Sequence, residues 1–126
     1  MNTESLITAV RNIIANGTSL SLNEVFSPSL PQTGDNICCV TLIGGNTTNN
    51  LCGSLVYSNI MLRVLIRGTE SDTTTRALAD DIFNVLHLLK NTGNIVNCIA
   101  TSTPIFVSKD ENQRILYNIT FNLTVK

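Results

Sequence analysis

Apolar residues recur at helical spacing in two segments of the chain. The first segment runs from Glu4 to Ala15 and stops before Asn16-Gly17, a pair that is typical of helix ends. Its apolar positions share one face: Leu6, Ile7, Val10, Ile13 and Ile14. The second segment follows Ser71 or Asp72, either of which can cap a helix, and is expected to end at Thr92-Gly93. Its apolar stripe comprises Leu78, Ile82, Val85, Leu86 and Leu89.

The remaining apolar segments have the shorter period of strands. A weak edge strand is expected between 20 and 26, before Pro28, Pro31 and Gly34 break the chain. Stronger strands are predicted at 36–43, 58–67, 97–108 and 114–125. Pro104 interrupts the third of these, which indicates a bulge or an edge position. The segment 44–53 (GGNTTNNLCG) carries no charge, and we expect it to be an exposed loop.

The predicted order of elements is α, β, β, β, α, β, β within a single domain, 1–126. Two amphipathic helices each need a sheet face to cover, so we expect a two-layer α+β fold with an antiparallel or mixed sheet and both helices on one face. The predicted core is Leu6, Val10, Ile14, Leu62, Val64, Ile66, Leu78, Ile82, Leu86, Ile119, Phe121 and Leu123. The other sheet face would expose Met61 and Leu65, more apolar surface than a monomer usually presents, which favours oligomerisation.

Composition and charge restrict the classes of function. The chain has 126 residues, 13% of them charged, with a net charge of -1 and no basic cluster. Nucleic-acid binding relies on lysine and arginine, so this balance argues against it. The sequence has no long apolar run and no basic N-terminus followed by an apolar segment, so we expect neither a membrane span nor a signal peptide, and synthesis in a cytoplasm.

Residues that could carry chemistry are few and poorly spaced. Cys38, Cys39, Cys52 and Cys98 match neither a disulfide framework nor a metal site, and we expect buried free thiols. The sole histidine, His87, lies on the second helix and is interpreted as a surface residue. Asp80 and Asp81 are adjacent on that helix and point in different directions, and Arg76 is expected to pair with Asp80. We therefore expect no enzymatic activity, no metal and no cofactor.

Four local patterns occur in an order that resembles the phage minor capsid and tail-terminator family. They are LPQTGDNICCVTLIGG (30–45), MLRVLIRG (61–68), the helical TRALADDIFNVL (75–86) and TPIFVSKDENQRILYNITFNLTV (103–125). The resemblance covers nearly the whole chain. It implies a small structural virion protein of a long-tailed phage, made in the bacterial host cytoplasm. Such a protein forms a ring, typically a hexamer, that caps the head-proximal end of the tail tube and ends its elongation.

The resemblance also implies partners. These are other copies of the chain, the tail tube protein and the head connector or completion protein, while DNA passes through the ring without specific binding and no membrane is involved. A head-completion or neck protein of the same particle remains an alternative. A small-ligand-binding or regulatory domain is the alternative from a different class.

Two contact surfaces are predicted for the ring. Because ring interfaces join two different patches, we expect one strand face to meet the polar side of the second helix of the next subunit. The residues are Met61, Arg63, Leu65 and Arg67 on the strand and Asp72, Asp80, Asp81 and Asn84 on the helix. The uncharged loop, with Asn46, Thr47, Thr48, Asn49 and Asn50, is assigned to contact with the tube or the connector.

Overall fold

In a computed structural model that describes residues 3–49 and 56–126, the chain forms one mixed sheet and two α-helices. The helices are α1 (Thr3–Gly17) and α2 (Asp72–Leu86). The strands are β1 (Val25–Phe26), β2 (Ile37–Asn49), β3 (Val56–Arg67), β4 (Leu89–Thr92), β5 (Ile95–Ala100), β6 (Ile105–Lys109) and β7 (Ile115–Val125). Their order is β1-β2-β3-β7-β5-β4, and β6 also pairs with β7. Only the β1–β2 pair is parallel among these, so the predicted α+β class is confirmed.

Both helices cover the same face of the sheet. The side chains of α1, α2 and alternate strand positions join one apolar cluster, because successive strand residues point to opposite faces. All twelve side chains predicted for the core are buried in it. The helices approach closely at Gly17, where a Cβ would lie 2.8 Å from Val85 Cγ2.

Helix α2 starts where the sequence predicts and ends earlier. Ser71 caps it, accepting a hydrogen bond from the backbone N–H of Thr74 at 3.3 Å. The helix stops at Leu86 and not at Thr92, because Leu88 adopts a φ of 66° and the next residues form β4 against β5. Pairing with the sheet edge therefore overrides the helical spacing of Leu89.

The prediction of an exposed loop at 44–53 is partly wrong. Strand β2 continues through Gly44 and Gly45 to Asn49, and β3 begins at Val56. The register shifts between Leu42 and Gly44, which leaves Ile43 as the extra residue of a bulge. Gly44 has a φ of +123°, a conformation that glycine adopts far more readily than other residues. Paired strands satisfy the backbone of this polar segment, so it needs no apolar pattern to be a strand.

Strand β7 lies inside the sheet. On one edge it pairs with β3 over 116–125. Its other edge is shared by two strands: β5 pairs with 121–125 and β6 pairs with 115–118. Residues 101–104 separate these two partners, in agreement with the predicted interruption at Pro104.

Candidate assembly surfaces

The sheet face turned away from both helices, called the open face here, carries part of the predicted ring contact. Met61 and Arg63 are exposed on it and Leu65 is half-buried. Neighbouring strands add Ile99, which is 46% exposed and pairs with Asn122, itself the partner of Met61. This face therefore mixes exposed apolar side chains with the uncharged polar side chains of β7.

Arg67, also predicted for this contact, is not available to it. The side chain is buried, and its Nε and Nη2 donate to the carbonyl oxygen of Gly34 at 3.1 and 2.9 Å. Burial lowers the pKa of Arg67 from its ordinary value, and the nearby Arg114 lowers this pKa further. Arg67 thus fastens the loop that precedes β2, and its assignment to the ring contact is corrected.

Arg114 fastens the same loop from the start of β7. Its Nη1 donates to Gly34 O at 3.1 Å and its Nη2 to Gln32 O at 2.9 Å, while Nε donates to Asp110 Oδ2 at 2.7 Å. Two guanidinium groups therefore converge on one backbone carbonyl. The loop from 27 to 36 is held against the sheet by these contacts and by the bond from Thr41 Oγ1 to Pro28 O at 2.6 Å.

The polar side of α2 keeps three of its four predicted contact residues. Asp80, Asp81 and Asn84 are exposed. Asp72 is already engaged within the subunit, because it accepts a hydrogen bond from the Tyr117 hydroxyl at 2.7 Å and pairs with Arg76. The expected Arg76–Asp80 pair is therefore wrong, since Arg76 pairs one turn earlier.

The predicted contact loop becomes the end of a hairpin. Asn46, Thr47, Thr48 and Asn49 belong to β2, and Asn50 lies outside the described residues. All five remain a proposed contact, four of them on a paired strand.

An exposed apolar strand was missed by the sequence reasoning. Ile105, Phe106 and Val107 of β6 are 53%, 51% and 51% exposed. Phe106 packs edge-on against Tyr117, with ring centroids 6.0 Å apart, and the other two side chains have no such neighbour in the described contacts. Three consecutive apolar residues after Pro104, with no polar position between them, were the available signal.

The groups considered for chemistry have structural roles. Cys38, Cys39 and Cys98 are buried free thiols, as predicted, and Cys52 lies outside the described residues. Burial raises the pKa of Cys38 and of Cys98 to about 12, which keeps both thiols protonated and poorly nucleophilic. Burial also raises the pKa of Cys39.

His87 departs from its predicted role as a simple surface residue. It ends α2, its Nδ1 accepts a hydrogen bond from the backbone N–H of Ala100 at 3.0 Å, and its ring stacks on Phe83. The ring therefore joins α2 to β5. Among residues 3–49 and 56–126, no three His, Cys, Asp or Glu side chains are grouped as metal ligands. No helix in this part of the chain is long and apolar enough to cross a membrane.

The chain is thus a small α+β protein with one helix-covered sheet face and one open face that exposes apolar side chains. A model of the bacteriophage tail terminator protein family matches residues 8–126, and the chain belongs to that family. It is accordingly a structural protein of the phage tail and associates with other virion proteins.

A solved structure, the virion of a native gene transfer agent particle, contains a chain of similar fold. The two chains superpose with a TM-score of 0.65 at 12% sequence identity, covering 95% of this chain and 93% of the other. At this identity the likeness concerns the fold alone. No curated protein sequence matches the chain.

Proposed function

We propose that the chain forms a ring, typically a hexamer, at the head-proximal end of the tail tube, where it ends tube elongation and offers the joining surface to the head connector. The observation that carries this proposal is the family match over residues 8–126. The exposed apolar side chains of the open face and of β6 support it, because a monomer gains nothing from leaving them in water.

A ring requires each subunit to present two different surfaces. The contact predicted from the sequence would place Met61, Arg63 and Leu65 of one subunit against Asp80, Asp81 and Asn84 of the next. Arg67 and Asp72, also predicted for this contact, are instead engaged in hydrogen bonds within the subunit. Arg63 is then the only cation left to it, which weakens this arrangement relative to one that uses the strand edges.

The end of the β2–β3 hairpin is proposed to contact the tail tube or the connector. Its described part, through Asn49 on β2 and from Val56 on β3, carries no charged residue. Contact would then depend on backbone and amide hydrogen bonds. Replacing Thr48 and Asn49 by lysine should reduce head joining and leave the ring mass unchanged, with Thr8→Lys on the exposed side of α1 as the control.

Passage of DNA without specific binding fits the charge of the chain. Four of its eight basic residues are Arg11, Arg67, Arg76 and Arg114, and all four donate to groups within the subunit. Few cations remain to hold phosphates and slow the genome. We include the absence of enzymatic activity in the proposal, since the buried thiols and His87 serve the fold.

One surface depression gives the small-ligand alternative little support. A depression of about 520 Å³ is lined by Asp35, Thr69, Glu70, Ser71, Asn112 and Arg114. Ligand sites are usually lined mainly by apolar and aromatic side chains, and this lining is polar throughout.

A phage that lacks the gene tests the proposal. We expect tails of uncontrolled length without heads, and expression of the chain in trans should restore tail length and joining, both scored by electron microscopy. Native mass spectrometry of the purified chain should give a multiple of 13.7 kDa. Tails of normal length beside unjoined heads would instead favour the head-completion or neck role, and a monomer both in solution and on tails would contradict the ring.

A further inference from the structure

The sheet has edges that are protected and edges that are not. Strand β1 is protected, because Arg11 Nε donates to the carbonyl oxygen of Val25 at 2.7 Å. Strand β4 has four residues and carries Lys90, and short, charged edges resist pairing with other chains.

Strand β6 is less protected, because its one charged residue, Lys109, stands at its last position. It pairs with β7 on one side, and no described strand pairs with its outer side. Residues 105–108 carry no charge, and their three apolar side chains are each about half exposed. A neutral apolar edge of this kind is a template for another strand.

Strand β2 offers a second such edge on the opposite side of the sheet. β1 covers only Cys38 and Cys39, so from Leu42 to Asn49 no described strand pairs with the outer side of β2. This part is also uncharged, and Ile43, at the bulge, is 44% exposed. The two edges therefore share a neutral character, and each carries exposed apolar side chains.

The strand directions allow these two edges to pair between copies. Across β2, β3, β7 and β6 every neighbouring pair is antiparallel, so β6 runs opposite to β2. Rotation about a ring axis keeps the direction of each strand relative to that axis. The β6 strand of one copy would therefore meet the β2 strand of the next in antiparallel orientation.

The register agrees with the geometry of a closed sheet. Phe106 pairs with Tyr117, Tyr117 with Ile66 and Ile66 with Cys38, so Phe106 is level with Cys38. Val107 is the extra residue of the bulge that follows Phe106, so bringing Val107 opposite Ile43 needs an offset of between five and six residues, or ~18 Å, across four strand spacings of ~19 Å in total. The resulting tilt of ~40° lies in the range of ~35–45° found in closed sheets.

Buried area favours a ring of copies over a single pair. A contact of about five residues along one edge covers well under the ~800 Å² per partner of stable complexes. In a ring each subunit uses both edges, which shields β6 and the part of β2 around Ile43. We propose that β6 of one subunit pairs with β2 of the next, with Phe106 and Val107 beside Ile43, and that this seam is the main contact of the ring. The inference rests on the proposed ring and specifies how it is joined.

A disulfide between introduced cysteines tests the seam. Ile43→Cys and Val107→Cys are combined in a chain that also carries Cys52→Ser. Within one subunit β2 and β6 are three spacings, or ~14 Å, apart, beyond the ~7 Å between Cα atoms that a disulfide spans. We expect a non-reducing gel, of the purified ring and of complemented tails, to show a ladder up to the full ring. The pair Leu22→Cys with Val107→Cys is the control, since Leu22 is 43% exposed and lies on neither edge.

Charge at the seam gives an independent measurement. Ile43→Asp and Val107→Lys should each lower the ring fraction at least tenfold in native mass spectrometry, and combining them in one chain should restore it. Leu22→Lys should leave the ring unchanged. Circular dichroism verifies that each variant folds.

The outcomes separate the seam from the ring itself. A ring that forms no disulfide ladder when it carries Ile43→Cys with Val107→Cys, or that tolerates both single charges, would contradict the seam and leave the proposed function standing. A crosslink to a protein of different mass would overturn the seam and assign these edges to another virion protein. A wild-type chain that is monomeric in solution and on tails would contradict the ring and the seam together.

Discussion

The hydroxyl of Tyr117 donates a hydrogen bond to Asp72 Oδ1 at 2.7 Å, joining the central strand β7 to the first turn of α2. Tyr117 is buried, and Arg76 Nε donates to its hydroxyl oxygen at 3.3 Å. The first turn of α2 is thereby fixed against the sheet beside β6, where Phe106 rests on the Tyr117 ring.

Removing the Tyr117 hydroxyl should destabilise the protein without changing its shape. Tyr117→Phe is expected to lower the free energy of unfolding by about 1–2 kcal/mol, because a hydrogen bond to a carboxylate is lost from a buried ring. Urea denaturation measures this change. In a double-mutant cycle, Asp72→Ala, which removes the acceptor, should add less destabilisation to Tyr117→Phe than to the wild type. Full additivity of the two substitutions would show that this bond contributes nothing.

Acid should loosen the turn between β6 and β7 through Asp110. Burial alone would raise the pKa of Asp110, but hydrogen bonds from the Arg114 backbone and guanidinium and from the Asn112 N–H hold this pKa below its ordinary 3.8. The ionised carboxylate therefore stabilises the fold above about pH 4, and this contribution is lost as the pH falls through the lower, folded-state pKa. In thermal unfolding from pH 2.5 to 6, Asp110→Asn should melt at a lower temperature than the wild type above pH 4, and the difference should shrink in acid. Glu111→Gln, at the exposed neighbour in the same turn, is the control.

The buried thiols should resist alkylation in the native protein. With their pKa values raised to about 12, Cys38 and Cys98 carry almost no thiolate at pH 8. Iodoacetamide followed by peptide mass spectrometry should leave both unmodified for hours and modify both within minutes in guanidinium. Rapid native modification of either residue would mean that the core opens frequently.

The sequence predicted what local patterns determine. The apolar alternation of β7 and the stripe of α2 gave the core, because burial selects residues at fixed periods. The end of α2 was misplaced, since the helical spacing continues to Leu89 while β5 draws that residue into a strand. Nothing local distinguishes β2 beyond Gly45 from a polar loop, since its strand conformation depends on pairing with β3.

The surface was harder to predict than the core. The strand pattern predicts that Arg67 is exposed. Its hydrogen-bond partner, Gly34, is 33 residues away, and no sequence pattern connects the two. The exposure of β6 depends on which strands leave its outer side unpaired, a property of the sheet order and not of the segment. The residues proposed for the seam therefore emerged only from the register of the strands.

Charge reversal at Arg63 separates the two ways of joining subunits. In the contact predicted from the sequence, Arg63 faces Asp80 and Asp81 of the next subunit, so Arg63→Glu would set like charges against each other and disrupt the ring. In the strand seam, Arg63 lies on the open face of β3, one strand away from the joined edge, and its charge is not part of the contact. We expect Arg63→Glu to leave the ring mass unchanged, as Lys90→Glu should at another exposed cation. A ring lost in Arg63→Glu and regained when Asp80 and Asp81 are both changed to arginine would establish the charged contact and exclude the seam.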